Sequence, residues 1–163
     1  MKNKAILVVY GIGGHKEQMR RLLKLLDIRN STNNIKLVAL CEKYACLEVI
    51  DDCIEIPDMR DKYHREKVFI DAPYSFFVSM FSIFRILKKY DIDYMISSGP
   101  GLVIPVAILF RILNKKVIFI ETWSRYNTKS ITGNIMHKIS NKFYVQNEDL
   151  MELYENAIYS GRL

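Results

Sequence analysis

The feature of the sequence that most constrains the fold is a regular alternation between short, β-branched apolar runs and longer segments with helical periodicity. This alternation is typical of βαβ units and of a mostly parallel sheet flanked by helices. Strands are predicted at Ala5–Tyr10, Lys36–Leu40, Cys53–Ile56, Tyr94–Ser97, Lys116–Glu121 and Lys142–Val145, and helices at His15–Leu26, Tyr44–Ile50, Pro73–Lys89, Leu102–Leu113, Gly133–Ser140 and Glu148–Tyr154. With 163 residues, half of them apolar, residues 1–163 are predicted to form a single α/β domain.

The charge of the chain is positive and unevenly distributed. Lys and Arg outnumber Asp and Glu by 24 to 18, and the excess lies in residues 1–41 and 72–147, whereas residues 42–71 and 148–163 are net negative. A regional basic surface favours a polyanionic partner such as anionic lipid, a diphosphate or nucleic acid. Nucleic acid is the least favoured of these, because the sequence has no run of Lys and Arg and no recognised nucleic-acid-binding motif.

The cysteines and the first residues bear on the compartment. Cys41, Cys46 and Cys53 are odd in number, lack CxxC spacing and lie within or beside apolar segments. This pattern predicts buried, reduced thiols in a cytosolic protein and no metal site. The apolar run that follows Lys4 is too short for the core of a signal peptide, so the chain is expected to stay inside the cell.

Two uncharged stretches bear on membranes. Ala72–Phe84 and Tyr94–Phe110 contain 13 and 17 residues, fewer than the roughly 20 that a spanning helix needs. The second stretch is interrupted by Gly99-Pro100-Gly101 and Pro105, and we interpret it as a buried strand, a turn and the start of a helix. The predicted helix at Pro73–Lys89 is apolar on nearly every face, so it is expected to bury more than one side.

Three loops are candidates for ligand binding. Ligands of parallel α/β sheets bind at the carboxyl ends of the strands, where loops lead into helix N-termini. The loops richest in glycine and polar residues, 11–15, 97–101 and 121–125, each follow a predicted strand, so they should converge on one edge. The glycines of the first loop allow backbone N–H groups to approach an anion. That loop matches neither a dinucleotide fingerprint nor a P-loop, and a plain strand-to-helix turn remains the alternative.

Individual side chains in these loops suggest chemistry. His15 lies in the first predicted turn of a helix, where the dipole disfavours the imidazolium and keeps the ring available as a neutral base; a structural histidine is the alternative. Gly99-Pro100-Gly101 either lets the backbone approach a ligand or only forms a sharp corner. Glu121 ends an apolar strand, where a carboxylate is costly to bury unless it is paired or used. Arg125 is the nearby cation, either for a structural ion pair with Glu121 or for a phosphate.

Metal binding is not expected from the sequence. No DxD-like pair of aspartates stands at the end of a predicted strand. Asp51 and Asp52 fall at the end of the short predicted helix, and we interpret them as a solvated cap.

Five motifs, in order, carry a resemblance that extends from Ile6 to Gly161. They are Gly11-Ile12-Gly13-Gly14-His15-Lys16-Glu17-Gln18-Met19, Ser98-Gly99-Pro100-Gly101, Ile120-Glu121-Thr122-Trp123-Ser124-Arg125, Ser130-Ile131-Thr132-Gly133 and Val145-Gln146. In these motifs the chain resembles the membrane-associated subunit of the dolichol-pathway UDP-N-acetylglucosamine transferase and its bacterial capsule and exopolysaccharide relatives.

The resemblance implies a GT-B glycosyltransferase divided between two polypeptides, with this chain as the N-terminal, acceptor-side, Rossmann-like half. A partner subunit would hold the UDP-sugar donor, which is a substrate, and no cofactor is expected. The acceptor would be a polyprenyl-diphosphate-linked sugar in capsular or exopolysaccharide biosynthesis. The chain without its partner is expected to be inactive or weak in hexosyl transfer.

The resemblance also implies roles for individual residues. Similarity to the lipid II-forming transferase of peptidoglycan synthesis implies that His15 is the general base and that Glu121 is a second catalytic residue, although Thr122-Trp123-Ser124 differ from that enzyme. The residues expected to contact the acceptor or its phosphate are Gly11, Gly13, Gly14, Gly99, Pro100, Gly101, Arg125, Ser130, Thr132 and Gly133.

Membrane contact is expected to be peripheral, on the cytoplasmic face of the plasma membrane. Unlike the eukaryotic pattern, Met1–Lys4 leads straight into the first predicted strand without a transmembrane anchor. The candidate residues for membrane or partner contact are Phe76, Phe77, Phe81, Phe84, Arg85, Lys88 and Lys89. That helix is alternatively an interior one, and for Leu102–Leu113, which basic residues also flank, core packing is favoured.

Two other functions remain open from the sequence. The chain is alternatively a non-catalytic membrane anchor and activator of the partner, in which case all the chemistry belongs to the partner. A freestanding nucleotide-binding protein of Rossmann type is a third possibility.

Overall fold

The strands of the protein form one parallel sheet. The computed structural model describes residues 2–26, 35–56 and 68–163. In these residues the sheet has seven strands: β1 (Asn3–Tyr10), β2 (Lys36–Glu42), β3 (Asp52–Ile56), β4 (Tyr90–Ser97), β5 (Lys116–Ile120), β6 (Lys142–Val145) and β7 (Ile158–Tyr159). Their order is β3-β2-β1-β4-β5-β6-β7, and every neighbouring pair is parallel.

Helices cover both faces of this sheet. They are α1 (Gly14–Leu26), α2 (Val68–Lys89), α3 (Val103–Ile112) and α4 (Ile131–Ile139), and a 3₁₀ helix follows at Glu148–Met151. Successive side chains of a strand point to opposite faces. Leu7 and Val9 of β1 pack in one apolar cluster with α2, α3 and α4, whereas Val8 and Tyr10 pack in a second cluster with α1. Both faces of the central strand β1 are covered in this way, and the predicted α/β fold is confirmed.

The segment between β2 and β3 differs from the prediction. The helix predicted at Tyr44–Ile50 is wrong, because these residues form turns and irregular backbone. Tyr44 has a φ of 65°, and the Leu47 N–H donates to the buried Tyr10 hydroxyl at 3.2 Å. A left-handed residue and a tertiary hydrogen bond therefore replace the helical ladder that the local sequence favours. The helix predicted at Glu148–Tyr154 is likewise reduced to the shorter 3₁₀ helix, and strand β7 was not predicted.

The cysteines also differ from the prediction. Cys46 and Cys53 form a disulfide, so the expectation of reduced thiols is wrong for these two. The irregular segment after β2 returns to the beginning of β3 and brings their Cα atoms to 6.3 Å, a separation that a disulfide spans. Cys41 is free and buried, and burial raises the pKa of its thiol to about 11.

Among residues 76–89, where the structure describes the side chains of α2, one side is buried and the other is exposed, contrary to the expectation that a helix apolar on nearly every face buries more than one side. Ile83 and Ile86 are buried against the sheet, whereas Phe77, Phe81 and Phe84 are exposed. In the part of the chain that the structure describes, no helix combines the length and the hydrophobicity needed to cross a membrane. The exposed aromatic side of α2 is therefore a surface feature of the folded domain.

Asp51 and Asp52, which were predicted to form a solvated cap, make hydrogen bonds within the protein instead. Asp52 belongs to β3, and its Oδ2 accepts hydrogen bonds from Lys89 Nζ at 2.6 Å and from the Tyr90 hydroxyl at 2.8 Å. These two donors hold the pKa of the Asp52 carboxyl below its usual value. Asp51 Oδ2 accepts from the Leu37 N–H at 2.8 Å, so both side chains tie the start of β3 to its neighbours.

The strand order determines where a ligand site should lie. The chain runs from β1 outward to β3 and then returns to place β4 on the other side of β1. In open α/β sheets, ligands bind beyond the carboxyl ends of the strands at this reversal. The loops that follow β1 and β4 meet there.

Candidate functional site

The loops after β1 and β4 are joined through His15. Its Nδ1 lies 2.5 Å from the carbonyl oxygen of Ser98, and the Ser98 hydroxyl donates to the carbonyl oxygen of His15 at 3.2 Å. His15 lies in the first turn of α1 and is half-buried. The predicted convergence of these loops is confirmed, and it places the imidazole at the point where the strand order reverses.

The Ser98 contact also determines the tautomer of the His15 ring. A carbonyl oxygen can only accept, so Nδ1 must carry the proton in this hydrogen bond. In the neutral imidazole the lone pair is then on Nε2. Nδ1 thus holds the ring in place through its hydrogen bond to Ser98, and any proton transfer would involve Nε2.

Gly99 packs against the imidazole ring of His15. Its φ is +97°, and a Cβ at this position would lie 2.7 Å from Cε1 of His15. The Gly99–Pro100 peptide bond is cis. The backbone of this turn therefore packs directly against the histidine ring, and any side chain at residue 99 would displace it.

We expect Gly99→Ala to misplace His15 and to lower any activity that depends on this side chain by about 10²-fold, since displacing a reacting group by about 1 Å has a cost of that size. Steady-state activity of the variant, measured alongside its thermal unfolding, checks this. Gly161→Ala is the matched control, because Gly161 also has a positive φ, +90°, but no atom lies within 4 Å of a Cβ there. Equal activity losses in the two variants would show that backbone strain, not the contact with His15, is responsible.

The glycines of the first loop have different environments. Gly13 and Gly14 are exposed, whereas Gly11 is buried, and a Cβ there would lie 2.8 Å from Cδ of Pro100. The absence of a side chain at Gly11 therefore allows the loops after β1 and β4 to approach each other closely. Gly13 and Gly14 are the glycines of this loop that a ligand can reach.

Glu42 is a buried carboxylate at this loop that the sequence reasoning missed. Its Oε2 accepts from the Ile12 N–H at 2.8 Å, and it would meet a Cβ on Gly11 at 2.5 Å. The predicted strand stopped at Leu40, whereas β2 continues to Glu42. An acidic residue that closes an apolar strand, the signal that singled out Glu121, would have identified it. Because the Ile12 N–H already binds an internal carboxylate, this loop offers an anion fewer amides than its glycine content suggests.

Glu121 lies beneath the third loop and is almost completely buried. Its carboxylate accepts from the Ser130 hydroxyl at 2.9 and 3.0 Å, from the Tyr154 hydroxyl at 2.6 Å and from the Thr122 N–H at 2.9 Å. The proposed Glu121–Arg125 ion pair is wrong, because neutral donors satisfy the carboxylate and the exposed Arg125 guanidinium donates to Thr128 Oγ1 at 3.1 Å. Glu121 therefore holds the loop to the domain.

Two further candidates in the loop support Glu121. The Ser130 hydroxyl also caps α4 by accepting from the Gly133 N–H at 2.7 Å. A Cβ on Gly133 would overlap the Glu121 carboxylate and lie 2.6 Å from the Tyr154 hydroxyl. Burial and the hydrogen bond to Glu121 raise the pKa of Tyr154. Ser130 and Gly133 are thus placed for packing, whereas Thr132, Pro100 and Gly101 are half-buried at the edge.

Two glutamines from the quoted motifs connect α1 and β6 to the same strand end. Gln18 Nε2 donates to the carbonyl oxygen of Glu121 at 3.1 Å, and Gln146 Nε2 donates to it at 2.8 Å. Both side chains are buried. The sequence reasoning assigned them no role, because only the tertiary structure brings these distant residues to one carbonyl group.

The residues predicted for membrane or partner contact lie on α2, which packs on the face of the sheet opposite to α1. Phe76, Phe77, Phe81 and Phe84 are exposed, and so are Arg85, Lys88 and Lys89. The Arg85 guanidinium lies 6.0 Å from the centre of the Phe81 ring, whereas Lys89 pairs with Asp52. Across residues 2–26, 35–56 and 68–163, no group of three or more His, Cys, Asp or Glu side chains could hold a metal ion.

The strand order and the helices on both faces of the sheet define a Rossmann-like α/β domain. Acinetobacter baumannii MurG shares the fold with a TM-score of 0.65 and 15% identity, over 98% of this chain and 44% of that one. A UDP-N-acetylglucosamine 2-epimerase shares it with a TM-score of 0.63 and 12% identity, over 96% and 46%. The chain therefore spans less than half the length of these solved structures.

The family is shown by sequence. The family model described as "Oligosaccharide biosynthesis protein Alg14 like" matches residues 6–163, so the chain belongs to the Alg14 family. The mouse and human proteins named "UDP-N-acetylglucosamine transferase subunit ALG14" are 28% and 29% identical to it, over 97% and 98% of this chain and 82% of each relative. The Candida albicans protein of that name is 29% identical over 96% of this chain and 76% of the relative. The resemblance inferred from the five motifs is confirmed at the level of the family.

Proposed function

We propose that this chain is the acceptor-side subunit of a two-component UDP-N-acetylglucosamine transferase. A partner subunit binds the UDP-sugar, and this chain presents a polyprenyl-diphosphate-linked sugar to it. The observation that supports the proposal is the hydrogen bond between His15 Nδ1 and the Ser98 carbonyl oxygen, which orients the imidazole at the sheet reversal. Membership of the Alg14 family supports the division into subunits.

The proposed reaction needs one proton transfer, from the acceptor hydroxyl to this chain. The acceptor hydroxyl attacks the anomeric carbon of the UDP-sugar, the bond between that carbon and the diphosphate oxygen breaks, and UDP leaves. His15 Nε2 takes the proton of the attacking hydroxyl, and the Ser98 carbonyl stabilises the imidazolium that forms. Glu121 acts as a positioning residue in this scheme, and no cofactor takes part.

The acceptor diphosphate is proposed to bind at the exposed part of the cleft. Gly13 and Gly14 begin α1, where the backbone N–H groups favour an anion, and Arg125 is an exposed cation on the adjacent loop. Thr132 and Gly101 lie beside each other at the same edge, since a Cβ on Gly101 would be 3.8 Å from Thr132 Oγ1. The buried glycines 11, 99 and 133 maintain the shape of this cleft.

Peripheral membrane binding through α2 is part of the proposal. Phe77, Phe81 and Phe84 recur on one side of the helix at spacings of four and three residues, and Arg85 and Lys88 lie beside them. Exposed aromatic rings with adjacent cations suit the interface of an anionic bilayer. The relatives named above are eukaryotic, so the proposed role in capsular or exopolysaccharide biosynthesis rests on the sequence resemblance alone.

We expect the double change Phe77→Ser and Phe81→Ser to reduce the fraction of protein that floats with anionic vesicles at least about tenfold, because two apolar rings lose their burial in the bilayer. Added salt should weaken flotation of the unchanged protein, since part of the attraction is electrostatic. Leu25→Ser is the matched control, because Leu25 is 72% exposed but lies on α1, across the sheet. Absence of flotation of the unchanged protein, with or without its partner, would contradict this role.

One observation favours a second function, that of a non-catalytic anchor and activator. Helix α2 packs on the face of the sheet opposite to α1, which carries His15, so its aromatic side can recruit a partner to the membrane without any chemistry in this chain. Under that alternative, His15→Ala would leave turnover unchanged in a complex solubilised in detergent, whereas the α2 variant would lower activity only on membranes.

Reconstitution tests the proposed function. The chain is co-expressed with a candidate donor-binding subunit, and the purified complex is supplied with UDP-sugars and a lipid-diphosphate-linked acceptor. We expect transfer from UDP-N-acetylglucosamine by the complex and little or none by either chain alone. Full turnover by this chain without a partner would exclude the two-component arrangement.

A further inference from the structure

Trp123 lies beside the candidate base, yet the proposed function does not use it. Its indole Nε1 is 3.6 Å from the position that a Cβ on Gly14 would occupy. Gly14 is the first residue of α1 and immediately precedes His15. The polar edge of the indole therefore faces the beginning of the helix that carries the base.

The indole N–H is available to a ligand. Trp123 is half-buried, and within the described residues Nε1 donates to no protein acceptor. An indole that is partly buried usually pairs its N–H group with an acceptor. A ligand oxygen at the start of α1 would supply that acceptor.

The indole is held in place before any ligand binds. The Arg21 guanidinium lies 5.0 Å from the centre of the Trp123 ring, and Arg21 is itself fixed by a 2.8 Å ion pair with Glu17. Asn147 Nδ2 donates to the carbonyl oxygen of Trp123 at 3.4 Å and fixes the backbone from the β6 side. A ring fixed in this way loses little conformational entropy on binding, so its contacts contribute efficiently to affinity.

We propose that Trp123 is a specificity-determining residue that recognises the acceptor sugar. Its N–H donates to an oxygen of the pyranose, and its exposed apolar surface packs against the C–H groups of the same ring. A flat apolar surface with one neutral donor suits a sugar better than a phosphate, which charged donors bind. The inference rests on the proposed function, because it assigns the sugar of the acceptor to a position beside His15.

Fluorescence tests the contact directly, because Trp123 is the only tryptophan of the chain. The full chain is titrated with farnesyl-diphosphate-linked N-acetylglucosamine and, separately, with farnesyl diphosphate. We expect the glycosylated compound to change the tryptophan emission, and the diphosphate alone, which is proposed to bind nearby at Gly13 and Gly14, to change it clearly less. Equal changes with both compounds would identify a diphosphate or lipid contact and overturn the inference, and no change with either would also overturn it.

Kinetics of the two-subunit complex separate this inference from the proposed function. We expect Trp123→Phe, which removes only the N–H donor and part of the ring, to raise KM for the glycosylated acceptor about 3- to 10-fold, the effect of one neutral hydrogen bond, with kcat nearly unchanged. Trp123→Ala should raise it further. Tyr126→Ala is the control, because Tyr126 is an exposed aromatic residue of the same loop.

The outcomes of that comparison are distinct. Transfer by the unchanged complex with the same KM in both Trp123 variants would overturn the sugar contact and leave the proposed function intact. No transfer by the unchanged complex with any lipid-linked acceptor would overturn both. A fall in kcat without a rise in KM would assign Trp123 to the support of His15 instead and would also overturn the sugar contact.

Discussion

Replacing His15 with alanine is expected to lower the rate of sugar transfer by the two-subunit complex by about 10²- to 10⁴-fold, the usual contribution of a positioned general base. The physical reason is that the hydrogen bond to Ser98 fixes the tautomer of the His15 imidazole. Because Nδ1 donates to the Ser98 carbonyl, the imidazole presents the Nε2 lone pair without any rearrangement, and the same carbonyl stabilises the ring after it takes the proton. Single-turnover transfer from UDP-N-acetylglucosamine to a lipid-linked acceptor measures the effect on the chemical step.

Two controls make the His15 result interpretable. The variant should co-purify with the partner subunit and unfold at nearly the same temperature, because His15 is only half-buried. Ser98→Ala keeps the carbonyl acceptor and removes only the hydroxyl that contacts the His15 backbone, so it should retain most of the activity. A His15→Ala complex that transfers at a near-normal rate would remove the base role and favour the anchoring alternative.

Replacing Glu121 with alanine is expected to lower the free energy of unfolding by about 2–4 kcal/mol, because the buried donors that face the carboxylate lose their acceptor. The Tyr154 hydroxyl and the Thr122 N–H both donate to it, and Ser130 loses the contact that joins the cap of α4 to β5. Chemical denaturation of the purified chain measures the change. Tyr154→Phe removes one of these hydrogen bonds and should have a smaller effect in the same direction.

A second comparison distinguishes a positioning role from a catalytic one for Glu121. Glu121→Gln retains the size of the side chain, and its single amide oxygen can accept from Ser130 and from either Tyr154 or Thr122. If the residue only holds the loop, the folded fraction of this variant should transfer sugar with a kcat close to that of the unchanged complex and with KM raised for the acceptor. A large fall in kcat in a stably folded Glu121→Gln complex would instead restore the catalytic role that the sequence resemblance implies.

The candidate site shows which features can be predicted from a chain of this kind. The placement of Gly11–Gly14 and of Gly99–Gly101 on one edge follows from local signals, because each group follows an apolar run and parallel strands end together. His15 was identified for the same reason, since it stands one residue beyond a glycine turn. The partners of these groups are long-range contacts with no local signature. Glu42 binds the Ile12 N–H from another strand, and Glu121 turns toward Tyr154, which lies 33 residues further along the chain.

The helices also combine features that local sequence predicts with features that only packing decides. The apolar sequence of α2 predicts a helix, and a helix forms at Val68–Lys89, but composition alone does not reveal which side is buried. The sheet contacts the side that carries Ile83 and Ile86, so the phenylalanines on the other side are exposed. At residues 44–50 the local preference is for a helix, yet the hydrogen bond from Leu47 to Tyr10 and the disulfide between Cys46 and Cys53 hold a different path.

The amino-acid sequence by itself determined the order of strands and helices, the parallel sheet and the edge where a ligand should bind, because these depend on hydrophobic periodicity and on turn residues that act over a few positions. Only the tertiary structure decided which nitrogen of His15 bears the proton, what Glu121 binds and which face of α2 remains exposed. Those properties depend on atoms that are distant in the chain and become neighbours only after packing, so no local pattern encodes them.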